Sequence, residues 1–282
     1  MKTSVMRTTV TRALRFWCIA ALLFVGCEQN PLTGKRTMSF YSETELFSMA
    51  DEQYREFLKE NPPVPTTDPT NGANAKMVKD VGQDIAAAAQ KWLEFKGSPK
   101  YLKNYRWEYN LVNDKAINAW CMPGGKIVVY TGILPVTQNR DALAVVMGHE
   151  VAHALLNHGQ QRLSAGILQQ LGAGIVGAFT ESDLVMAVYG LTTNLAGMMP
   201  FSREHESESD HYGLILAAIA GYDPEEAVPF WERMAAQSGG GGGGVDKALE
   251  FLSTHPSHTT RINDLKGWVA EAKTTAAQIN SK

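Results

Sequence analysis

The stretch "VVMGHEVAHALLNHG", Val145 to Gly159, sets three histidines and a glutamate into otherwise apolar sequence. On an α-helix of 3.6 residues per turn, His149 and His153 lie one turn apart on one face, with Glu150 beside them. This is the H-E-x-x-H arrangement. Two imidazoles at i and i+4 can both reach one tetrahedral Zn²⁺ and leave positions for another protein ligand and a water. The adjacent carboxylate can take a proton from that water. The competing reading is a set of polar spots on an ordinary buried helix, and the rest of the chain has to decide between the two.

The periodicity predicts this helix from about Asp141 to His158, with Gly159 as its C-terminal stop. On an uninterrupted helix His158 is half a revolution from His149 and faces away from the metal. The metzincin pattern requires Gly at 156 and His at 159, whereas this chain has Leu156 and Gly159, so that class is excluded.

A third ligand is supplied downstream by "PFSREHESESDHYGLILAAIAGY", which offers Glu204, Glu206 and Glu208. On a helix only Glu206 shares a face with Asp210 four residues on, while Glu204 and Glu208 point about 200° away. A ligating Glu followed one turn later by Asp has a defined use, because the Asp can accept the free N–H of a ligating histidine and fix its tautomer. A solvated acidic helix start would also suit the dipole. With H-E-x-x-H upstream, the expected zinc site is His149, His153 and Glu206, one Zn²⁺ per chain, with Asp210 behind it and Glu150 as the catalytic base.

Four blocks in order, "NAWCMPGGKIVVYTGIL", "VVMGHEVAHALLNHG", "FSREHESESDHYGL" and "FLSTHPSHTTRI", resemble the signature of peptidase family M48, the zinc metallopeptidases that include HtpX-type and CAAX prenyl proteases. The likeness runs from about Pro31 to Lys266 and is greatest to soluble, lipid-anchored periplasmic members; "NPLTGKRTMSF" is similar to the segment after their lipid cysteine. The chain departs from the pattern at Trp120 and Cys121, where smaller residues are common. The resemblance implies a gluzincin-like α+β fold, predominantly helical with a small β-sheet, and endopeptidase activity. Polypeptides, especially unfolded envelope proteins, are the implied partners.

The N-terminus is different in kind. Lys2, Arg7, Arg12 and Arg15 precede an apolar run from Phe16 to Gly26, too short to span a bilayer, which reads as a signal peptide. Gly26 directly before Cys27, with Phe24 where Leu is commoner, reads as a lipobox, so lipidation of Cys27 is expected. A plain secretory signal is the alternative. Glu28 after the cysteine points to the inner leaflet of the outer membrane by bacterial sorting rules, making the bacterial periplasm the expected compartment. Removing residues 1–26 takes four basic residues and no acidic one, leaving 22 basic against 29 acidic and a formal charge of −7, which disfavours nucleic acid. Cys18 leaves with the signal and Cys27 takes lipid, so Cys121 stands alone as a buried structural thiol with no disulfide.

The chain divides by its punctuation into a signal peptide (1–26), an N-terminal tether, helix and Pro-rich linker (27–72), the metallopeptidase domain (73–272) and a C-terminal tail (273–282). Ser42 with Glu45 makes a capping box for a helix to Glu60, which "NPPVPTTDPTNG" breaks. A second helix is predicted from about Asn74 to Phe95, a strand at "YRWEYNLV", and two strands joined through Pro123, Gly124 and Gly125. Residues 163–200 are read as two helices and not a membrane span, because each apolar run is interrupted before about 18 residues accumulate.

Three further features carry expectations. The edge strand near Asn118 to Met122 can accept an extended peptide by strand addition, or be purely structural. Arg261 can stabilise an oxyanion or bridge helices. Six glycines, Gly239 to Gly244, precede His255, which on so hinged a segment can visit the metal's open position and hold the enzyme latent, or simply cap a helix. His211 can contact the site, but a place on the surface or in the core is expected. Two alternatives to a peptidase stand beside it: a zinc-stabilised, chaperone-like binding module with little turnover, and a lipid-anchored scaffold.

Overall fold

The computed structural model describes residues 27–172, 202–238, 251, 255 and 260–282. Residues 1–26, where a signal peptide is expected, the glycine run 239–244 and most of 163–200 lie outside them. No helix among the described residues is long and apolar enough to cross a membrane.

Short strands β1 (Cys27–Gln29) and β2 (Arg36–Met38) pair antiparallel ahead of α1 (Glu43–Glu60). The capping box is formed: Ser42 accepts from the Glu45 backbone N–H, and the Glu45 side chain accepts from that of Ser42. Helix α2 (Gly72–Phe95) starts two residues earlier than its sequence pattern suggests and buries Val78, Val81, Ile85, Ala89 and Trp92 along one stripe.

Three strands follow: β3 (Glu108–Val112), β4 (Ala119–Met122) and β5 (Lys126–Tyr130). Their order is β3-β5-β4, so β5 is central, parallel to β3 and antiparallel to β4. Gly124 and Gly125 join β4 to β5 with φ of 82° and 87°, the left-handed pair that a tight hairpin turn needs. β4 is therefore left at the sheet's edge.

After a short helix α3 (Leu134–Thr137) comes α4 (Arg140–Leu155), capped by Asn139 and buried at every position from Ala142 to Leu155. A helix apolar all round belongs at the centre of a domain. It is covered by α2, by the sheet and by α6 (Arg203–Ile219), against which α8 (Arg261–Asn280) packs. Between these lie α5 (His158–Gly172) and α7 (Ala227–Ser238). This is the expected α+β class, mostly helical with one small sheet.

One boundary differs from the sequence reading. Helix α4 stops at Leu155, not His158, because Asn157 takes the left-handed conformation at φ 59°, and Gly159 lies inside α5. Asparagine tolerates that conformation at a helix end nearly as glycine does. The freed Leu155 carbonyl accepts from the Asn30 side chain at 2.7 Å and the Tyr101 hydroxyl at 2.9 Å.

Candidate metal centre and cleft

Helix periodicity brings His149 and His153 to one face of α4, with their Nε2 atoms 3.0 Å apart. Helix α6 crosses that face and sets Glu206 against them, with Oε1 3.3 Å from His153 Nε2 and Oε2 3.6 Å from His149 Nε2. His255 completes the group, its Nδ1 3.0 Å from Glu206 Oε1 and 3.3 Å from His149 Nε2. One ligand atom from each of the four lies within 4.8 Å of the others, and all four residues are buried.

The surroundings test whether this set suits a cation. Three ring nitrogens and a carboxylate oxygen converge out of contact with bulk water, a donor set that matches zinc by type. Burial pushes the His153 imidazole well below its ordinary pKa, against the opposing pull of its Glu206 hydrogen bond, so it is neutral and has a lone pair to offer. Burial also raises Glu206, but His255, His153 and His149 outweigh it and hold the carboxylate well below its usual range. A neutral imidazole and an ionised carboxylate are the ligating forms.

Around this group the chain supplies fixed partners. Asp210 Oδ1 lies 2.9 Å from His149 Nδ1, as the one-turn spacing from Glu206 requires. Arg261 donates from Nη2 to Asp210 Oδ1 at 2.6 Å, brings Nη1 to 3.3 Å from Glu206 Oε2, and lays its guanidinium over the Trp231 ring. That is the geometry of the helix-bridging alternative: Arg261 is fully buried on the ligands' flank and does not line the cleft.

Glu150 is 3 % exposed and its Oε1 makes no hydrogen bond among the described residues; the nearest cation-capable group is His255 Nε2 at 3.5 Å. Burial raises its pKa, and His255 and His149 oppose that rise. Glu150, His153 and His255 open onto a cleft of about 640 Å³ walled by Met49, Gln53 and Phe57 of α1 and by Trp120, Cys121 and Met122 of β4. Cys121 is partly exposed on the cleft wall and not the buried thiol its sequence context suggests, yet the loss of solvent around its sulfur still pushes it well above its ordinary pKa, as in an inert thiol.

One histidine sits where sequence reasoning did not put it, while Glu204 and His211 lie off the site as expected. His158 does not face away. The break at Asn157 turns the chain so that His158 Nδ1 comes within 3.0 Å of His153 Nδ1, although His158 is no ligand. Glu208 meets His158 Nε2 at 3.1 Å and Lys35 at 2.7 Å; its pKa is held down to about 2, chiefly by the His158 hydrogen bond. Glu204 pairs with Lys35 at the surface, and His211 pairs with Glu271 and stacks on Trp268. No one-dimensional signal distinguishes His158 from a surface histidine once the helix is taken as unbroken.

A buried His-His-Glu set on crossed helices, with an adjacent buried carboxylate that lines a cleft, defines a metallopeptidase of the H-E-x-x-H class. The chain belongs to peptidase family M48, whose family model, "Peptidase family M48", matches residues 75–269. It is 30 % identical over 266 residues to mitochondrial metalloendopeptidase OMA1 of Schizosaccharomyces pombe, covering 91 % of this chain and 73 % of that protein. It is 27 % identical to the human metalloendopeptidase OMA1, mitochondrial, over 88 % of this chain and 47 % of the relative. The beta-barrel assembly-enhancing protease of Yersinia pestis is 29 % identical over 59 % of this chain and 35 % of the relative. The protein is thus a peptide-bond hydrolase of a zinc-using family.

Proposed function

We propose that the protein is a lipid-anchored periplasmic endopeptidase that degrades unfolded envelope proteins, with His149, His153 and Glu206 holding zinc and Glu150 as catalytic base. The observation that carries this reading is the buried Glu150 carboxylate, without a hydrogen bond at Oε1 among the described residues and 3.5 Å from His255 Nε2, beside His149 and His153 where the cleft meets the cluster. Bound zinc would supply a Lewis acid for the scissile carbonyl and a water of lowered pKa.

The chain's own groups do the rest. Glu150 accepts the proton of the attacking water and returns it to the leaving amine, a role worth about 10²–10⁴ in rate. Burial raises its pKa and makes it a readier proton acceptor than an exposed carboxylate. Asp210 orients His149, and Arg261 holds Asp210 and Glu206 together across α6 and α8. Edge strand β4 offers unpaired backbone groups along the cleft, so an extended peptide can pair with it irrespective of its sequence. Backbone pairing of this kind fits a protease that meets many unfolded substrates.

In this reading His255 serves as a latch, which its Nδ1 at 3.0 Å from Glu206 Oε1 and 3.3 Å from His149 Nε2, and its ring stacked on Phe251, support. The compartment and anchor follow from the basic, apolar and Gly-Cys order of residues 1–27. A chaperone-like module would leave the Glu150 carboxylate without a use. The test is cleavage of casein and of an unfolded outer-membrane protein, with and without a chelator, by wild type and Glu150→Gln. The variant should keep zinc and fold while losing about 10²-fold or more in turnover. Equal activity in the two proteins would overturn the reading.

A further inference from the structure

If His153 ligates through Nε2, the state of its other ring nitrogen depends on what lies behind it, and among the described residues that is a second imidazole. His158, the first residue of α5, is fully buried there with its Nδ1 3.0 Å from His153 Nδ1. On its far side His158 Nε2 lies 3.1 Å from Glu208 Oε2. Ser209 Oγ is 3.2 Å from His158 Nδ1, and Lys35 Nζ is 2.7 Å from Glu208 Oε1. His149, by contrast, has its carboxylate directly, in Asp210.

We infer that His158 and Glu208 are positioning residues that set the tautomer of His153, a conclusion resting on the reading of His153 as a metal ligand. The chain of donors has one consistent direction. An ionised carboxylate only accepts, so His158 carries its proton on Nε2 and donates to Glu208. Its Nδ1 is then an acceptor, and the proton between the two rings belongs to His153 Nδ1. That leaves the His153 Nε2 lone pair pointing into the cluster. The Ser209 hydroxyl can donate to the same acceptor. Lys35 is about half exposed, so solvent and salt screen its hold on Glu208, and its loss should change little.

The experiment measures zinc affinity by competition with a chromophoric chelator in full-length wild type, His158→Leu, His158→Gln and Glu208→Ala, with thermal unfolding of each metal-free protein alongside. Loss of such an outer partner weakens metal binding about 10–100-fold, the range expected for His158→Leu. Glutamine can accept from His153 and donate to Glu208, so His158→Gln should recover most of the affinity. Glu208 reaches the surface, so Glu208→Ala should fold normally and carries the test should His158→Leu not fold; its expected loss is about tenfold. In ¹H–¹⁵N spectra of the zinc-loaded wild type a slowly exchanging His153 Nδ1–H should be seen, held by His158, and Glu208→Ala should speed its exchange. Wild-type affinity in Glu208→Ala, or a His153 Nδ1–H that exchanges as fast in the zinc-loaded wild type as in Glu208→Ala, would overturn the inference while leaving zinc binding intact. A wild type that binds no zinc would overturn both this inference and the proposed function.

Discussion

Gly148 and Gly213 face each other where α4 crosses α6, so closely that a Cβ on Gly213 would lie 2.7 Å from the backbone nitrogen of His149. A Cβ on Gly148 would lie equally close to the Gly213 carbonyl oxygen. Both obstacles are backbone, so neither can yield by a rotamer change. This contact sets the spacing between the helix that carries both histidines and the helix that carries Glu206 and Asp210.

Gly213→Ala should therefore push α6 off α4. The expected cost is about 1–3 kcal/mol of stability, the range for overpacking a close contact, together with weaker zinc binding. Thermal unfolding with and without zinc reads both, and an unchanged melting temperature and zinc content would show that the helices can part freely.

Zinc content should separate the three glutamates at the start of α6. Glu206→Ala, like His149→Ala and His153→Ala, should leave the purified protein without its single zinc. Glu204→Ala removes a side chain that is 72 % exposed and paired with Lys35 at the surface, so it should keep full metal. Elemental analysis decides, and retention of zinc by Glu206→Ala would move the third ligand elsewhere.

His255→Ala should raise proteolysis of an unfolded substrate while leaving zinc in place, because three ligands remain and the fourth position opens to substrate. Turnover and metal content measured on one preparation are needed. Unchanged turnover with several substrates would assign His255 to packing against Phe251 alone.

Cys27→Ser should abolish lipid labelling and release a soluble periplasmic form. Fractionation of cells expressing each version checks this, and membrane partitioning unaltered by the substitution would point to attachment through another segment.

The residues legible in the sequence are those whose relation is local. His149, Glu150 and His153 lie within one and a half turns of a single helix, as do Glu206 and Asp210, so helical periodicity alone ordered them correctly. The same holds for the capping box at Ser42 and the glycine turn between β4 and β5. Only the tertiary structure decided what depends on contacts across long stretches of chain. A single left-handed residue, Asn157, converted His158 from a residue on the far face into a partner of His153, and no periodic pattern records where a helix will break. Arg261 and His255 are brought to Glu206 from about fifty residues away, through the packing of α8 on α6 and the placing of the Phe251 segment. Their roles follow from burial and direction, which one-dimensional spacing does not contain, because side chains distant in sequence meet only once the helices that carry them have packed.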